Sequence, residues 1–227
     1  MQQPLPRYPM RKKDETAMLK KSLLSLVALA AACSAAPVFA APSDFYGVLS
    51  VGRSKLDTNP GSIDAFNTSN GFTSSTTSSS TGATAGKIQL GYNLSKTFAL
   101  EGGYDYLGKV NFVSNTNAGS IGGSKEARLL NLDLVAKLPI NEQFTFIGRF
   151  GGYYWKTKSA MPNAATLGTS TINDTGFDFK VGAGLQYDFN PKWGMRGEFE
   201  RFNGVGKGNT SGDSKVNQLT VGAVLKF

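Results

Sequence analysis

Alternation is the property that most narrows what this chain can become. From Phe177 to Phe189 the odd positions read Phe177, Phe179, Val181, Ala183, Leu185, Tyr187 and Phe189, and the even ones Asp178, Lys180, Gly182, Gly184, Gln186 and Asp188. One face is apolar and the other polar or bare, at the two-residue period of a β-strand. Seven further segments do the same: Phe45–Ser54, Ala85–Ser95, Thr97–Leu107, Arg128–Leu138, Gln143–Thr157, Lys192–Phe202 and Val216–Phe227. The connections alternate as well. Those around Ser95-Lys96, Pro139 to Glu142 and Asn190-Pro191 are tight, whereas 55–84, 108–127, 158–175 and 203–215 are long. The first long connection holds the polar low-complexity run TSSTTSSSTGAT, which reads as a loop.

The segment preceding the strands has a different character. Leu23 to Ala40 is an uncharged apolar run that follows Lys20 and Lys21 and ends in Val38-Phe39-Ala40. That is the pattern of a cleaved secretory signal peptide, so residues 1–40 are assigned to export and 41–227 to the folded domain. Translation starting at Met18 would give a more compact signal. Cys33 lies within it, behind Ala30-Ala31-Ala32 rather than a lipobox, and cleavage after Ala40 discards it. The export segment carries six basic residues and two acidic ones, so the chain's 24 against 16 becomes 18 against 14, or +4, in the domain. With half of the apparent basicity belonging to the signal, nucleic acid is not expected as a partner.

An even number of strands about ten residues long, with short turns on one side and long loops on the other behind an export signal, describes an eight-stranded antiparallel up-and-down transmembrane β-barrel. All 27 glycines follow residue 46. The competing reading is a secreted, water-soluble β-sandwich or lipocalin-like barrel with its apolar faces packed inward. Assigning the apolar faces to lipid places Lys87, Lys137, Arg149, Lys180, Arg196 and Lys226 inside with Glu101, Asp105, Asp133, Asp178, Asp188, Glu198 and Glu200. Eight strands leave an interior that side chains fill, and buried charges must be paired. The near balance of sign therefore reads as a structural ion-pair network, or else as a narrow pore in which such pairs exchange.

On the lipid-facing parity the charged residues are Arg53, Arg128, Lys156 and Arg201, all cationic and next to the long loops. They are candidate contacts for the phosphates of lipopolysaccharide, or plain rim residues. Phe45, Tyr92, Phe98, Phe144, Tyr187, Phe189, Trp193 and Phe227 gather at the short-turn end, with Tyr104, Tyr106, Tyr154 and Phe177 at the other. Two aromatic girdles suit two membrane interfaces.

Gly91-Tyr92, the run LEGGYDYLGKV, RFGGYYWK, DTG, MRGEFE and the final Phe227, in that order, resemble the transmembrane domain of the outer membrane protein A family. The resemblance spans about residues 44–227. It implies an envelope-anchoring barrel, loops that engage host or phage ligands, and a small pore gated by interior salt bridges. By motif Glu101 and Arg196 fall on the gate pair and Lys137 on its alternative partner, while Gln186 stands where the second gate carboxylate is expected. It further implies a monomer in contact with outer-membrane lipid, delivered by periplasmic chaperones and the barrel-assembly machinery, for which the terminal Phe227 is the signal. The chain ends at its last strand, so the family's peptidoglycan-binding domain is not expected.

No cofactor, metal or catalytic residue is expected. The chain has no histidine and one cysteine, which removes imidazole-dependent hydrolysis and Cys-rich metal sites. Small-barrel lipases and proteases of the outer membrane resemble one another in needing a histidine. GVGKG at 204–208 lacks the ending of a phosphate loop, and the pair Glu198 and Glu200 sits on one strand with no substrate cleft.

Overall fold

A computed structural model describes residues 44–56, 60–79, 82–163, 168–206 and 214–227. The export segment expected at 1–40 lies outside them. The elements are β1 (Phe45–Leu56), α1 (Pro60–Ser69), β2 (Ser75–Ser79), β3 (Gly82–Asn93), β4 (Phe98–Thr116), β5 (Gly119–Pro139), β6 (Phe144–Asn163), β7 (Gly168–Asp188), β8 (Trp193–Val205) and β9 (Ser214–Lys226). Every strand but β2 joins a ring in which sequence neighbours pair antiparallel and β1 returns to β9, closing an eight-stranded barrel. Closure leaves no sheet edge inside the bilayer, where an unpaired backbone amide or carbonyl has no water to turn to. No helix among the described residues is long and apolar enough to cross a membrane; the strands do the crossing.

The barrel is the inverse of a soluble sandwich. Leu130, Leu219 and Phe177 are 60–64% exposed on its outer wall, while Glu101 and Lys180 inside are fully buried. Aromatic pairs stand at the expected ends: Phe45 with Tyr92 (4.7 Å) and Phe144 with Tyr187 (4.8 Å) near the short turns, and Phe177 with Phe179 (5.3 Å) farther up. Each short turn is fixed by one polar side chain. Ser95 Oγ accepts from the N–H groups of Thr97 and Phe98, Asn141 Oδ1 from those of Gln143 and Phe144, and Asn190 Oδ1 from those of Lys192 and Trp193. These are the local bonds that make Ser and Asn turn residues.

The long connections are where the sequence expectation needs correction. Residues 108–127 and 158–175 are mostly ladder, not loop: β4 and β5 stay paired to Thr116↔Gly119, and β6 and β7 to Asn163↔Gly168. The cause in β4 is a register shift between Tyr106 and Gly108, with Gly108 at φ +88°. Leu107 is the extra residue of this bulge, and beyond it the inward set changes from odd (Glu101, Asp105) to even (Val110, Phe112, Ser114). A one-residue slip exchanges the two faces, so alternation read across 107 appears to stop while pairing continues. Residues 55–84 hold α1 and β2, and β2 pairs with the upper part of β4. α1 begins with Pro60, which suits a first helical turn, and is followed by Gly71 at φ +103°. Its Ile63 and Phe66 pack with Phe112, Met161 and Ile172 of the extended hairpins. Asp64 accepts from Ser75 and Thr77 hydroxyls at 2.8 and 2.7 Å. Residues 207–213 of the last connection lie outside the described residues.

The closing seam depends on close backbone approach. A Cβ on Gly52 of β1 would stand 1.9 Å from the Leu219 carbonyl oxygen of β9, and one on Gly222 of β9 would stand 2.1 Å from Ser50 Oγ. Around Gly197 a Cβ meets nothing within 4 Å. Gly52→Val is therefore expected to cost about 1–3 kcal/mol or more by overpacking and to lower the yield of the fast-migrating form on unboiled gels. Gly197→Ala should migrate as the wild type does.

Candidate functional site

The lumen is built in three layers along the barrel. Nearest the short turns Tyr46, Val48, Ala99, Val135, Ile147 and Val224 form an apolar layer. At the other end Leu56, Leu107, Leu129, Tyr153, Trp155, Phe202 and Val216 are the main members of a second. Between them lies the charged layer. The sequence expectation was a uniformly polar interior, so both apolar layers are findings of the structure.

In the charged layer the strand period points one ionisable side chain inward every second residue, and neighbouring strands bring these into reach. Arg149 of β6 is the hub. Its guanidinium pairs with Glu101 of β4, with Glu198 (2.6 Å) and Glu200 (3.1 Å) of β8, and with Asp133 of β5 (3.2 Å). Lys180 of β7 reaches Glu200 (2.8 Å), Asp133 (2.9 Å) and, more loosely, Asp105 (3.6 Å). Lys87 of β3 spans the lumen to Glu200 (2.5 Å) and Glu198 (2.6 Å). Arg196 of β8 donates to Glu101 (2.6 Å) and to the Gln186 side-chain oxygen (2.9 and 3.1 Å). Four cations thus hold five carboxylates, and the charged ends of the side chains are 0–1% exposed.

Of the thirteen ionisable residues the alternation placed inside, nine come together in this layer; Asp178 is not among them, and its carboxylate accepts from the Phe179 N–H at 2.7 Å. Lys137 also stands apart: its ammonium donates to Asn93 Oδ1 and lies 4.4 Å over the Tyr46 ring, with no carboxylate in ion-pair range among the described residues. Its link to Glu101 is indirect, because the Tyr46 hydroxyl donates to Glu101 at 2.6 Å. Lys226 and Asp188, also inward, form a separate half-exposed pair at 2.7 Å near the short turns. Tyr46 was not singled out from sequence. Its parity, opposite to Phe45, was the available signal. Asn131, which donates to Asp105 at 2.8 Å, was likewise passed over.

Outside, Arg53, Arg128, Lys156 and Arg201 are all exposed. Arg128 and Lys156 face each other in register within the β5–β6 ladder, not at strand ends, and Arg128 is held by Glu126 at 2.7 Å. Lys55, taken for the start of a loop, belongs to β1 and is exposed on the same face as Arg53. Phe227 is exposed, and its N–H donates to the Phe45 carbonyl at 3.2 Å.

An ionic lumen inside a lipid-facing wall defines an integral membrane barrel. The model of the outer membrane protein β-barrel domain matches residues 24–227, and the chain belongs to that family and to the outer membrane. It is 30% identical to outer membrane protein A of Salmonella typhi over 141 residues, covering 60% of this chain, and 28% identical to that of Shigella flexneri over 140 residues. The chain spans 38% of the length of either relative. In fold it is similar to the crystal structure of neisserial surface protein A (TM-score 0.55, 13% identity, 82% of this chain and 98% of that one).

Removing one partner of a buried pair strands the others, at about 3–5 kcal/mol. Arg149→Gln, which leaves four carboxylates facing one another, should lower stability by that amount in urea unfolding from vesicles. Lys226→Gln, at a half-exposed pair, should cost about 1 kcal/mol or less.

Proposed function

We propose that this protein is a closed, non-catalytic envelope barrel that works through its surface hairpins rather than through its lumen. The observation behind this reading is the layering: the interlocked charges lie between two apolar layers, Tyr46 to Val224 below and Leu107 to Phe202 above. Ions crossing such a lumen would have to displace paired charges and then shed water at two apolar constrictions. The acids and bases that could serve catalysis are spent on one another, away from solvent. The parts that reach beyond the aromatic girdle are paired and packed: the β4–β5 and β6–β7 hairpins, with α1 and β2 against them. A stiff platform of this kind suits engagement of host or phage ligands, since little ordering is left to do on binding. Chaperone and assembly-machinery contact, with Phe227 as the signal, and a monomeric state complete the proposal.

One observation favours the narrow pore. On the β9–β1–β3 wall the buried polar atoms of Ser50, Gln89 and Gln218 have no hydrogen-bond partner among the described residues. Such a wall is polar enough to hold water. Planar-bilayer recording separates the readings. Refolded protein should give no unitary conductance steps, and steps that change when Arg196→Gln is introduced would overturn the closed-lumen proposal.

The platform reading makes a second prediction. With Cys33 removed by signal cleavage, a cysteine placed at exposed Asn117, in the β4–β5 turn, should react with an impermeant maleimide on intact cells, and one at Asn141, in a short turn, should not. The reverse pattern would invert the barrel and sink the proposal.

A further inference from the structure

Strand register places three cations side by side on the outer wall. Lys55 of β1 and Arg201 of β8 both pair with Asn217 of β9, so the three residues form one row across adjacent strands. Arg53 lies two residues below Lys55, in a row with Leu219 and Phe199. All of these point outward, with Leu219 64% and Phe199 50% exposed. Between them runs an open groove of about 710 Å³ lined by Arg53, Lys55, Gly82, Phe199, Asn217 and Leu219. Among the described residues no carboxylate lies in ion-pair range of Arg53, Lys55 or Arg201. Asn217 Oδ1 is buried in this wall without a hydrogen-bond partner among the described residues. Among the described residues these three cations share one stretch of the outer wall with no counter-ion.

We propose that this groove is a binding site for a phosphorylated glycolipid of the outer leaflet, with phosphoryl oxygens on Arg53, Lys55 and Arg201 and an acyl chain along Leu219 and Phe199. Two features select this ligand. The cations sit at the upper margin of the apolar wall, on the side of the extended hairpins, which is the depth of outer-leaflet headgroups. Leu219 and Phe199, which share the lower row with Arg53, are apolar and continuous with the lipid-facing wall, and a free anion would leave them uncovered. Guanidinium groups suit phosphoryl oxygens because two parallel N–H donors match two of them. The strand spacing of about 4.8 Å puts Lys55 and Arg201 backbones roughly 10 Å apart, the scale of a single headgroup. The Arg128–Lys156 pair on the opposite wall lacks this character, since Glu126 already neutralises Arg128. The site depends on the membrane placement of the barrel and not on whether its lumen conducts.

The test uses full-length mature protein refolded in detergent, incubated with purified lipopolysaccharide or its enzymatically dephosphorylated form, and analysed for retained lipid after gel filtration. At about a factor of five per cation near a membrane surface, Arg53→Gln with Lys55→Gln and Arg201→Gln should weaken retention roughly a hundredfold. Arg128→Gln with Lys156→Gln should leave it near the wild-type level, and the dephosphorylated lipid should be retained no better by wild type than by the triple variant. Migration on unboiled gels checks that each variant is folded. Phe199→Ala with Leu219→Ala, which keeps every cation, should also weaken retention. Wild-type retention by the triple variant would overturn the site. Equal retention of the dephosphorylated lipid would overturn the phosphoryl assignment, and displacement by equimolar inorganic phosphate would overturn the lipid assignment.

Discussion

Everything in this barrel follows from one requirement: in hydrocarbon no backbone N–H or C=O can be left unpaired. The eight ladders satisfy it only because β1 returns to β9, and that seam is as close as it is because Gly52 and Gly222 have no side chains to hold the backbones apart. Once the ring is closed, inside and outside are absolute. Each residue on a strand then faces either lipid or the lumen. The inverted distribution, with Leu130 outside and Lys180 inside, is a consequence of closure and not a separate design.

Closure also sets the terms for the charged interior. Nine ionisable side chains share a space that side chains alone can fill, and they are stable there only by pairing with one another. Arg149 touches four carboxylates from three strands, so the network ties together parts of the sheet that the backbone ladders connect only in sequence. Apolar layers on both sides keep water from competing with these pairs, which strengthens them. Gln186 fits the same logic. It accepts from Arg196 as a carboxylate would, without adding a further negative charge to a layer that already has one more carboxylate than it has cations.

Much of this was legible from alternation. The eight strands, the short turns held by Ser95, Asn141 and Asn190, the lipid-facing set and nine of the network residues follow from period two plus polarity. The misses have definite causes. The bulge at Leu107 and Gly108 exchanges faces in mid-strand, so the upper parts of β4 and β5 looked like loop. Lys55 was lost to an apparent loop that is the end of β1, whose ladder with β9 runs on in register to Leu56. Tyr46, Leu129, Val135, Tyr153 and Trp155 are apolar or amphipathic residues on inward positions, and a rule that sends apolar residues to lipid cannot see them. Lys137 was matched by motif to the alternative partner of the gate pair, but position along the barrel axis puts it beside Asn93 and Tyr46.

The sequence by itself determined the eight strands of the barrel and, below the bulge in β4, which face of each meets lipid, because that depends only on residues two apart on one strand. What the tertiary structure decided is which residues of different strands share a level. Stagger between strands is set by the closed ladder, and it is stagger that groups Arg149 with Glu198 and Glu200, separates Lys137 from Glu101, and lines up Lys55, Asn217 and Arg201 on the outer wall. Local pattern carries no information about level, since a strand can slide by two residues and keep its alternation intact.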